Sequence, residues 1–395
     1  MDSELFLLNE LKKKMDVYKK QLTFKYNRAN TPSKKRVLSR ELEWFSNIYR
    51  QLFGELHTFS WDKDKVIFNN VDKTEFNELS KFIDNINNES DFYFNLSNNV
   101  IKSYIDTNYP FYKYNTNPLF DAKLDNDLML EMLESFLKSY DYQDYLEFEH
   151  KLFNLELLEI NFESYEIAGA AFNFPSIHKN IISLNALFSK NLFKYETIAH
   201  EFGHVVEMQL FQNSNNAALA DKALETPFYE VPSSFFEYAF LNYLKDNKVY
   251  LNYVNRYFDY YFKALLSRML QVNIISKFPC LEVDENDLVD ISDENITAYT
   301  DSILDNLNYY DILEPYEKIN IRNPFIYGLG QLFSIYLYDN YKENPNFISE
   351  FKKSLTKYPN SNDIEAFNNV GITKDKLLKS DVLTKTLKKH YSDFK

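Results

Sequence analysis

The sequence that decides the fold is a ten-residue stretch that reads Thr197-Ile198-Ala199-His200-Glu201-Phe202-Gly203-His204-Val205-Val206. Two histidines stand four positions apart, and apolar residues fill most of the positions around them. In a helix, side chains at i and i+4 lie one above the other, so His200 and His204 should project from one face. The apolar neighbours indicate that this helix, predicted over residues 194–212, is buried inside the protein.

The paired histidines form a metal-binding pattern. Two imidazoles one turn apart can share one tetrahedral Zn²⁺ ion. Glu201 would then lie beside the open coordination position, where a carboxylate can take a proton from water as the water attacks a carbonyl. Buried histidines with no partner would leave polar ring nitrogens unpaired, and a metal resolves this. We therefore predict one zinc ion bound by His200 and His204, with Glu201 as the general base.

A third protein ligand must come from outside this pattern. Residues 228–237 read Phe-Tyr-Glu-Val-Pro-Ser-Ser-Phe-Phe-Glu and open the next long predicted helix. A carboxylate at the start of a helix antiparallel to the histidine helix could close the site, which makes Glu230 the first choice. Glu225, five residues earlier, and Glu207, one turn beyond His204, are alternatives.

The composition favours a mostly helical protein outside membranes. The chain has 395 residues, 45% of them hydrophobic, with 35 Phe and 31 Tyr against only 6 Gly, which is too little glycine for many tight turns between short strands. A net charge of −14 argues against nucleic acid as a partner. A single cysteine, Cys280, allows no internal disulfide, and no apolar run is long enough for a membrane span or a signal peptide. We expect a cytoplasmic location.

The pattern along the chain predicts two closely packed regions, a helical N-terminal region over residues 1–150 and a metal-bearing region over 151–395. Short apolar runs around a turn within 166–185 predict a small β-hairpin. The acidic segment 282–295 is predicted to be a solvated loop. Helical spacing predicts helices over 3–29, 33–58, 74–88, 92–106, 125–160, 194–212, 231–247, 250–275, 297–313 and 327–342.

Two of these segments together resemble the M3 family of metallopeptidases, to which thimet oligopeptidase and oligopeptidase F belong. That family pairs H-E-[FL]-G-H with a downstream F-x-E-x-P-S-x-x-x-E, which correspond here to residues 200–204 and 228–237. Supporting similarities lie at residues 169–172, 181–185 and 327–331, so that the resemblance spans roughly residues 165–335.

The resemblance implies a zincin-like catalytic region that binds zinc through His200, His204 and Glu230. It places a substrate cleft between this region and the helical N-terminal region, and it assigns Glu237 to orienting a ligand histidine. It also implies that residues 181–185 form an edge strand that holds the substrate backbone by β-addition. The substrate-binding residues expected around this strand are Gly169, Ala170, Ser183 and Asn185.

The family also uses tyrosines, and often a histidine, to stabilise the oxyanion. Tyr327 matches the best-placed tyrosine of the family. A second donor is left open among Tyr316, Tyr309 and Tyr310, because no histidine occurs between His204 and His390. Ser234 stands where the family usually has glutamine. The chain is also shorter than typical members on the N-terminal side, which predicts a more open cleft.

Three functions follow as hypotheses. The first is a zinc endopeptidase that acts on short or unstructured peptides. The second is a dedicated processing protease with one protein or leader-peptide substrate. The third is a peptide-binding protein without catalysis, against which the intact Glu201 argues, because a binder needs no general base.

Overall fold

The structure is a computed structural model of the chain. It describes residues 2–53, 82–109, 124–140, 155–160, 169–177, 179–185, 192–213, 227–278, 283, 288–307, 318–357 and 363–393. The helices in these ranges are α1 Asp2–Arg28, α2 Pro32–Phe53, α3 Ser90–Thr107, α4 Asn126–Tyr140, α5 Leu192–Asn213, α6 Val231–Asp246, α7 Leu251–Lys277, α8 Glu294–Leu307, α9 Arg322–Glu343, α10 Phe347–Lys357, α11 Lys374–Lys379 and α12 Val382–Asp393. The prediction of a mostly helical protein is confirmed.

The helix that carries the paired histidines begins at Leu192 and ends at Asn213, within two residues of its predicted bounds. The two helices that follow, α6 and α7, agree with the predictions over 231–247 and 250–275 just as closely. Pro232 stands in the first turn of α6, where its missing N–H costs no helical hydrogen bond. None of the described helices combines the length and the apolar character needed to cross a bilayer.

Five strands accompany the helices: β1 Leu155–Ile160, β2 Gly169–Phe174, β3 Lys179–Asn185, β4 Leu288–Asp290 and β5 Lys318–Asn320. Strands β2 and β3 form the predicted hairpin, with Gly169 opposite Leu184 and Phe174 opposite Lys179. A short 3₁₀ helix, Pro175–Ile177, follows β2 directly.

Two predictions about this sheet are wrong. Residues 155–160 were predicted as part of a helix, yet they form β1, which pairs in parallel with β3. Their sequence, Leu-Glu-Leu-Leu-Glu-Ile, fits a helical period as well as a strand, and only the pairing with a distant strand decides between them. Because the strand order is β1-β3-β2, β3 is the central strand, and residues 181–185 are therefore not an edge strand.

The prediction of a loop over 282–295 is also wrong in part. Residues 288–290 form β4, which pairs antiparallel with β5. Leu288 lies opposite Asn320, and Asp290 lies opposite Lys318. The pairing of Asp290 with the oppositely charged Lys318 cannot be predicted from the acidic segment alone, because Lys318 lies on another strand.

The β2–β3 hairpin separates two hydrophobic cores. Phe174 and Ile181 pack into a small core with α1 and α2. Ile182 and Leu184 pack into the main core, which contains α3 to α7 and α9. Neighbouring strand residues point to opposite faces, so a single strand can serve both cores. Helices α3 and α4 share the main core with the histidine helix, and the division at residue 150 stays a prediction.

Candidate metal centre

The site is built on α5, which is held in the main core on most of its surface. Ile198, Phe202 and Val205 are buried. The helix packs against α6, where Phe202 meets the ring of Phe236 edge to face at 5.2 Å. On the remaining face the rings of His200 and His204 lie 5.3 Å apart. The tight fit of α5 fixes the positions of both histidines before any metal binds.

Glu230 lies between the two histidines. Its Oε2 atom is 3.1 Å from Nε2 of His200 and 3.1 Å from Nε2 of His204. One ligand atom from each of the three residues lies within 4.8 Å of the others, which is the arrangement of a group that could hold a metal ion. Of the two alternatives, Glu225 lies outside the described residues, and Glu207 faces the other ring nitrogen of His204.

Two glycines let the backbone around Glu230 come this close. A Cβ atom at Gly203 would lie 2.6 Å from Cα of Ser233, so only glycine admits the start of α6 against α5. A Cβ atom at Gly330 would lie 2.9 Å from the carbonyl oxygen of Glu230, so α9 closes on the same turn from another side. Ser233 then donates a hydrogen bond from Oγ to the Glu230 carboxylate. The position of Glu230 is therefore set by close backbone packing.

Carboxylates also stand behind both histidines. Glu237 Oε2 lies 3.1 Å from Nδ1 of His200, which is hydrogen-bond distance. Glu207 Oε2 lies 3.8 Å from Nδ1 of His204, which is an ion-pair contact beyond hydrogen-bond length. A carboxylate on Nδ1 leaves Nε2 as the ligand atom and fixes the orientation of the ring. His200 has the tighter of the two supports.

A further carboxyl group, which the sequence analysis missed, lies behind Glu237. Glu196 is buried one turn before His200 on α5 and is hydrogen-bonded to Glu237 and to the hydroxyl of Tyr257. Burial, and then the charge of Glu237, raises the pKa of Glu196 well above its ordinary value, so it shares its proton with Glu237. A local reading of the sequence gives no signal for this role, because the same helix also carries Lys194, Glu201 and Glu207.

The charges in the site are arranged around the Glu230 carboxylate. Burial opposes ionisation, but the two histidines outweigh it and hold the pKa of Glu230 well below its usual range. Burial would lower the pKa of His200, but hydrogen bonds to Glu230 and Glu237 raise it to about 10. Burial likewise opposes protonation of His204, and Glu230 again reverses the effect. An anionic oxygen flanked by two imidazoles is a ligand set for a divalent cation.

Glu201 lies next to this group on α5 and is 5% exposed. Burial raises its pKa above the ordinary value, and a hydrogen bond from the backbone N–H of Ala171 acts in the opposite direction. Ala171 belongs to β2 and lies opposite Ile182 of β3. The carboxyl group is therefore held between the histidine helix and the outermost described strand on that side of the sheet.

Tyr327 projects from α9 and is 39% exposed. The charge of Glu230, followed by burial, raises the pKa of its hydroxyl, with smaller effects from His204 and Glu201. Its hydroxyl therefore shares the surroundings of the three candidate ligands. The guanidinium of Arg268 on α7 lies over the Tyr327 ring at 5.3 Å.

The remaining candidates are placed in part. Gly169 and Ala170 lie on β2, and Ser183 lies opposite Ala170 on β3. Asn185 is the last residue of β3. The side chains of Ser183 and Asn185 are outside the described part of the chain, and so are the three tyrosines proposed as second oxyanion donors, Tyr309, Tyr310 and Tyr316.

Comparison of the chain with protein-family models, with curated proteins and with solved structures finds no match. The geometry alone therefore carries the functional argument. It shows a largely buried cluster of His200, His204 and Glu230 that could hold a metal ion.

Proposed function

We propose that this protein is a zinc-dependent endopeptidase of the M3 type that hydrolyses short or unstructured peptides. The observation that carries the proposal is the placement of one Glu230 oxygen 3.1 Å from Nε2 of both histidines. A buried carboxyl group, Glu201, lies directly beside them. Three ligands and an adjacent acid–base group are the minimum that metal-assisted hydrolysis requires.

His200, His204 and Glu230 would hold the metal. Two imidazole nitrogens and one carboxylate oxygen are the donor set of many catalytic zinc sites, which use three protein ligands and keep a fourth position open. When bound, zinc supplies Lewis acidity, which polarises a carbonyl and lowers the pKa of a coordinated water towards neutrality. Glu237 holds Nδ1 of His200 so that Nε2 faces the ion.

Glu201 is the proton carrier of the proposal. Its carboxylate accepts a proton as water attacks the scissile carbonyl and then gives it to the departing amine. Burial raises its pKa, which moves the group towards the range where it can both accept and release a proton near neutrality. The N–H of Ala171 fixes the carboxylate and so determines where the attacking water must lie.

The place of the substrate follows from the strand order. β3 is paired on both sides, so an added peptide strand would lie along the outer edge of β2. The N–H of Ala171 points to Glu201, and main-chain groups alternate in direction along a strand, so Gly169 presents its own groups to the same edge. Ala170, between them, faces β3. A peptide on this edge would have its backbone next to Glu201, in a cleft bordered by the helical N-terminal region.

Tyr327 is the proposed oxyanion donor. A phenol keeps its proton at neutral pH and can donate it in a hydrogen bond, and the raised pKa of Tyr327 is consistent with this role. The residue is partly exposed, so a substrate can approach its side chain. A cytoplasmic location belongs to the same proposal, because a single cysteine fits a reducing compartment.

The test is Glu201→Gln, which keeps the shape of the side chain and removes its base. The variant should bind one zinc ion as the wild type does, while cleavage of a diverse peptide pool, mapped by mass spectrometry, should fall by a factor of about 100 to 10,000. Glu131→Gln removes an exposed carboxylate on α4 and serves as the matched control.

Undiminished cleavage by Glu201→Gln would refute the mechanism. A wild-type protein that binds zinc but leaves the pool intact would instead favour one dedicated substrate or a binding protein. A chelator should stop cleavage by the wild type, because the ligand cluster has no catalytic function without its ion.

A further inference from the structure

We propose that Arg268 binds a carboxylate group of the peptide substrate beside the scissile bond and thereby selects peptides that carry one there. The inference rests on the proposed peptidase function and adds the substrate class to it. The carboxylate could be the C-terminus of the peptide or the side chain of an aspartate or glutamate, and the experiment below separates these two sources.

Arg268 lies next to the candidate site. Its guanidinium carbon is 5.3 Å from the centre of the Tyr327 ring, so the cation covers the face of the proposed oxyanion donor. Glu230 and Arg268 both act on the pKa of Tyr327, in opposite directions. A substrate group that contacts the guanidinium would therefore be separated from the candidate metal ligands only by the side chain of Tyr327.

No acidic residue pairs with Arg268 in the part of the chain that the structure describes. The nearby carboxylates bind elsewhere: Glu230 contacts both histidines, and Glu237 contacts His200. The other neighbours of the guanidinium are phenols, since its charge acts on Tyr260 and Tyr261. A partly buried guanidinium that stacks on a ring and has no carboxylate partner among the described residues can bind a carboxylate from outside through its N–H donors.

The packing of α7 against α9 keeps Arg268 in place. A Cβ atom at Gly328 would lie 3.1 Å from Cβ of Arg268, so glycine lets the two helices close at this point. The face of the Tyr327 ring also contacts the guanidinium through a cation–π interaction, which helps to hold it in place. A positioned arginine binds a carboxylate through two parallel hydrogen bonds and loses little freedom in doing so.

The site is also selective in charge. The chain carries a net charge of −14, and the candidate site itself contains several carboxyl groups. An acidic peptide group would be repelled by most of this surface. The positive charge of Arg268 offsets this repulsion locally. A peptide carboxylate should therefore be accepted where it lies next to Tyr327, and carboxylates at other positions of the peptide should be disfavoured.

The experiment compares Arg268→Gln with the wild type on matched peptides. Each cleaved peptide is made in eight forms, with a free or amidated C-terminus and with Glu or Gln at the residue before the cut and at the residue after it. For the form that carries the recognised carboxylate, the variant should show a KM raised about tenfold or more, with kcat nearly unchanged. For the neutral forms it should behave like the wild type.

Binding provides a second readout. In the Glu201→Gln background, which should not turn substrate over, calorimetry should show the same loss of affinity when Arg268 is replaced. Arg256→Gln removes an exposed arginine three turns earlier on α7 and is the matched control, with no expected change in selectivity. Zinc content and thermal unfolding show whether each variant is folded.

The outcomes are distinct. A wild-type enzyme that cleaves charged and neutral forms equally well overturns the inference and leaves the peptidase intact. A variant that loses kcat on every peptide overturns it as well, because Arg268 would then act only by positioning Tyr327. A wild-type protein that cleaves nothing refutes the proposed function and this inference with it. Dependence on the C-terminus identifies a carboxypeptidase-like activity, and dependence on Glu identifies acidic side chains.

Discussion

At the residue scale, the absence of a side chain at position 203 sets the distance between two helices. Gly203→Ala would bring a methyl group to 2.6 Å from Cα of Ser233, a distance that backbone atoms cannot accept. The start of α6 must shift, and Glu230 shifts with it. We expect zinc affinity to fall by about 10- to 100-fold, as when the support of a metal ligand is lost. Competition with a chromophoric chelator measures this directly.

The control for that variant is another glycine. Gly371 has a φ of +76°, so Gly371→Ala introduces backbone strain far from the ligands. It should lower the unfolding temperature and leave zinc affinity unchanged. If Gly203→Ala bound zinc as tightly as the wild type, close packing would not be what positions Glu230.

The two carboxylates behind the histidines allow a matched comparison. Glu237 is at hydrogen-bond distance from His200, at 3.1 Å, whereas Glu207 is 3.8 Å from His204. Glu237→Gln should therefore weaken zinc binding by about 10- to 100-fold, and Glu207→Gln should have a smaller effect. Isothermal titration with zinc gives both values, and equal losses would contradict the ranking.

The two candidate ligand histidines were predictable because their spacing is local: His200 and His204 are one turn apart on one helix. Spacing left Glu230 open beside Glu225 and Glu207, and the family resemblance selected it. Glu196 was not predictable, because its role depends on Tyr257, which lies 61 positions along the chain on another helix. Arg268 was missed for the same reason, since Tyr327 meets it only after α7 and α9 pack together.

At the element scale, the long helices were predictable and the sheet was predictable only in part. The hairpin β2–β3 joins neighbouring segments, so its apolar runs identify it. β1 pairs in parallel with β3, across more than twenty residues, and its own sequence suits a helix equally well. This single non-local pairing makes β3 the central strand, so the edge proposed for substrate binding becomes that of β2. The chemistry of the site was therefore easier to infer than the direction of the substrate.

The same sheet connects the N-terminal helices to the candidate site. Strand β2 supplies the N–H of Ala171 to Glu201, and α5 supplies Glu201 itself. Phe174, at the other end of β2, is buried in the second core with α2. A displacement of α1 and α2 would therefore be passed along one strand to the Glu201 carboxyl group, the proposed general base.

At the scale of the whole molecule, the N-terminal helices contact the turn after β2 at one buried acid. Glu41 on α2 is 2% exposed, and its Oε1 accepts a hydrogen bond of 2.8 Å from Ser176 in the 3₁₀ turn after β2. Its other oxygen has no hydrogen-bond partner in the described structure. Burial raises its pKa to about 7, although Ser176 and the charge of Lys25 on α1 act in the opposite direction. Attachment of the N-terminal helices therefore involves a group that titrates near neutrality.

The sign of the pH dependence follows from the raised pKa. The folded protein binds the proton of Glu41 more tightly than the unfolded chain, whose pKa is near 4.5. The contribution to stability is complete below about pH 4.5 and is lost as the pH rises through about 7. The shift corresponds to at most about 3 kcal/mol. Glu41→Gln cannot ionise, and it should remove this dependence and stabilise the docked helices above pH 7.

Trp44 reports this docking, because its ring lies 6.2 Å from that of Phe172 and 6.5 Å from that of Phe174 on β2. The experiment uses a Trp61→Phe background, in which Trp44 is the remaining tryptophan. In denaturant titrations followed by its fluorescence, the denaturation midpoint should fall between pH 4 and pH 8 when residue 41 is Glu. With Glu41→Gln, the midpoint should change less with pH. Glu131→Gln, which lacks an exposed carboxylate elsewhere, should follow the native curve. Identical slopes for Glu41→Gln and the native residue would show that ionisation of Glu41 does not control the docking of the N-terminal helices on the hairpin.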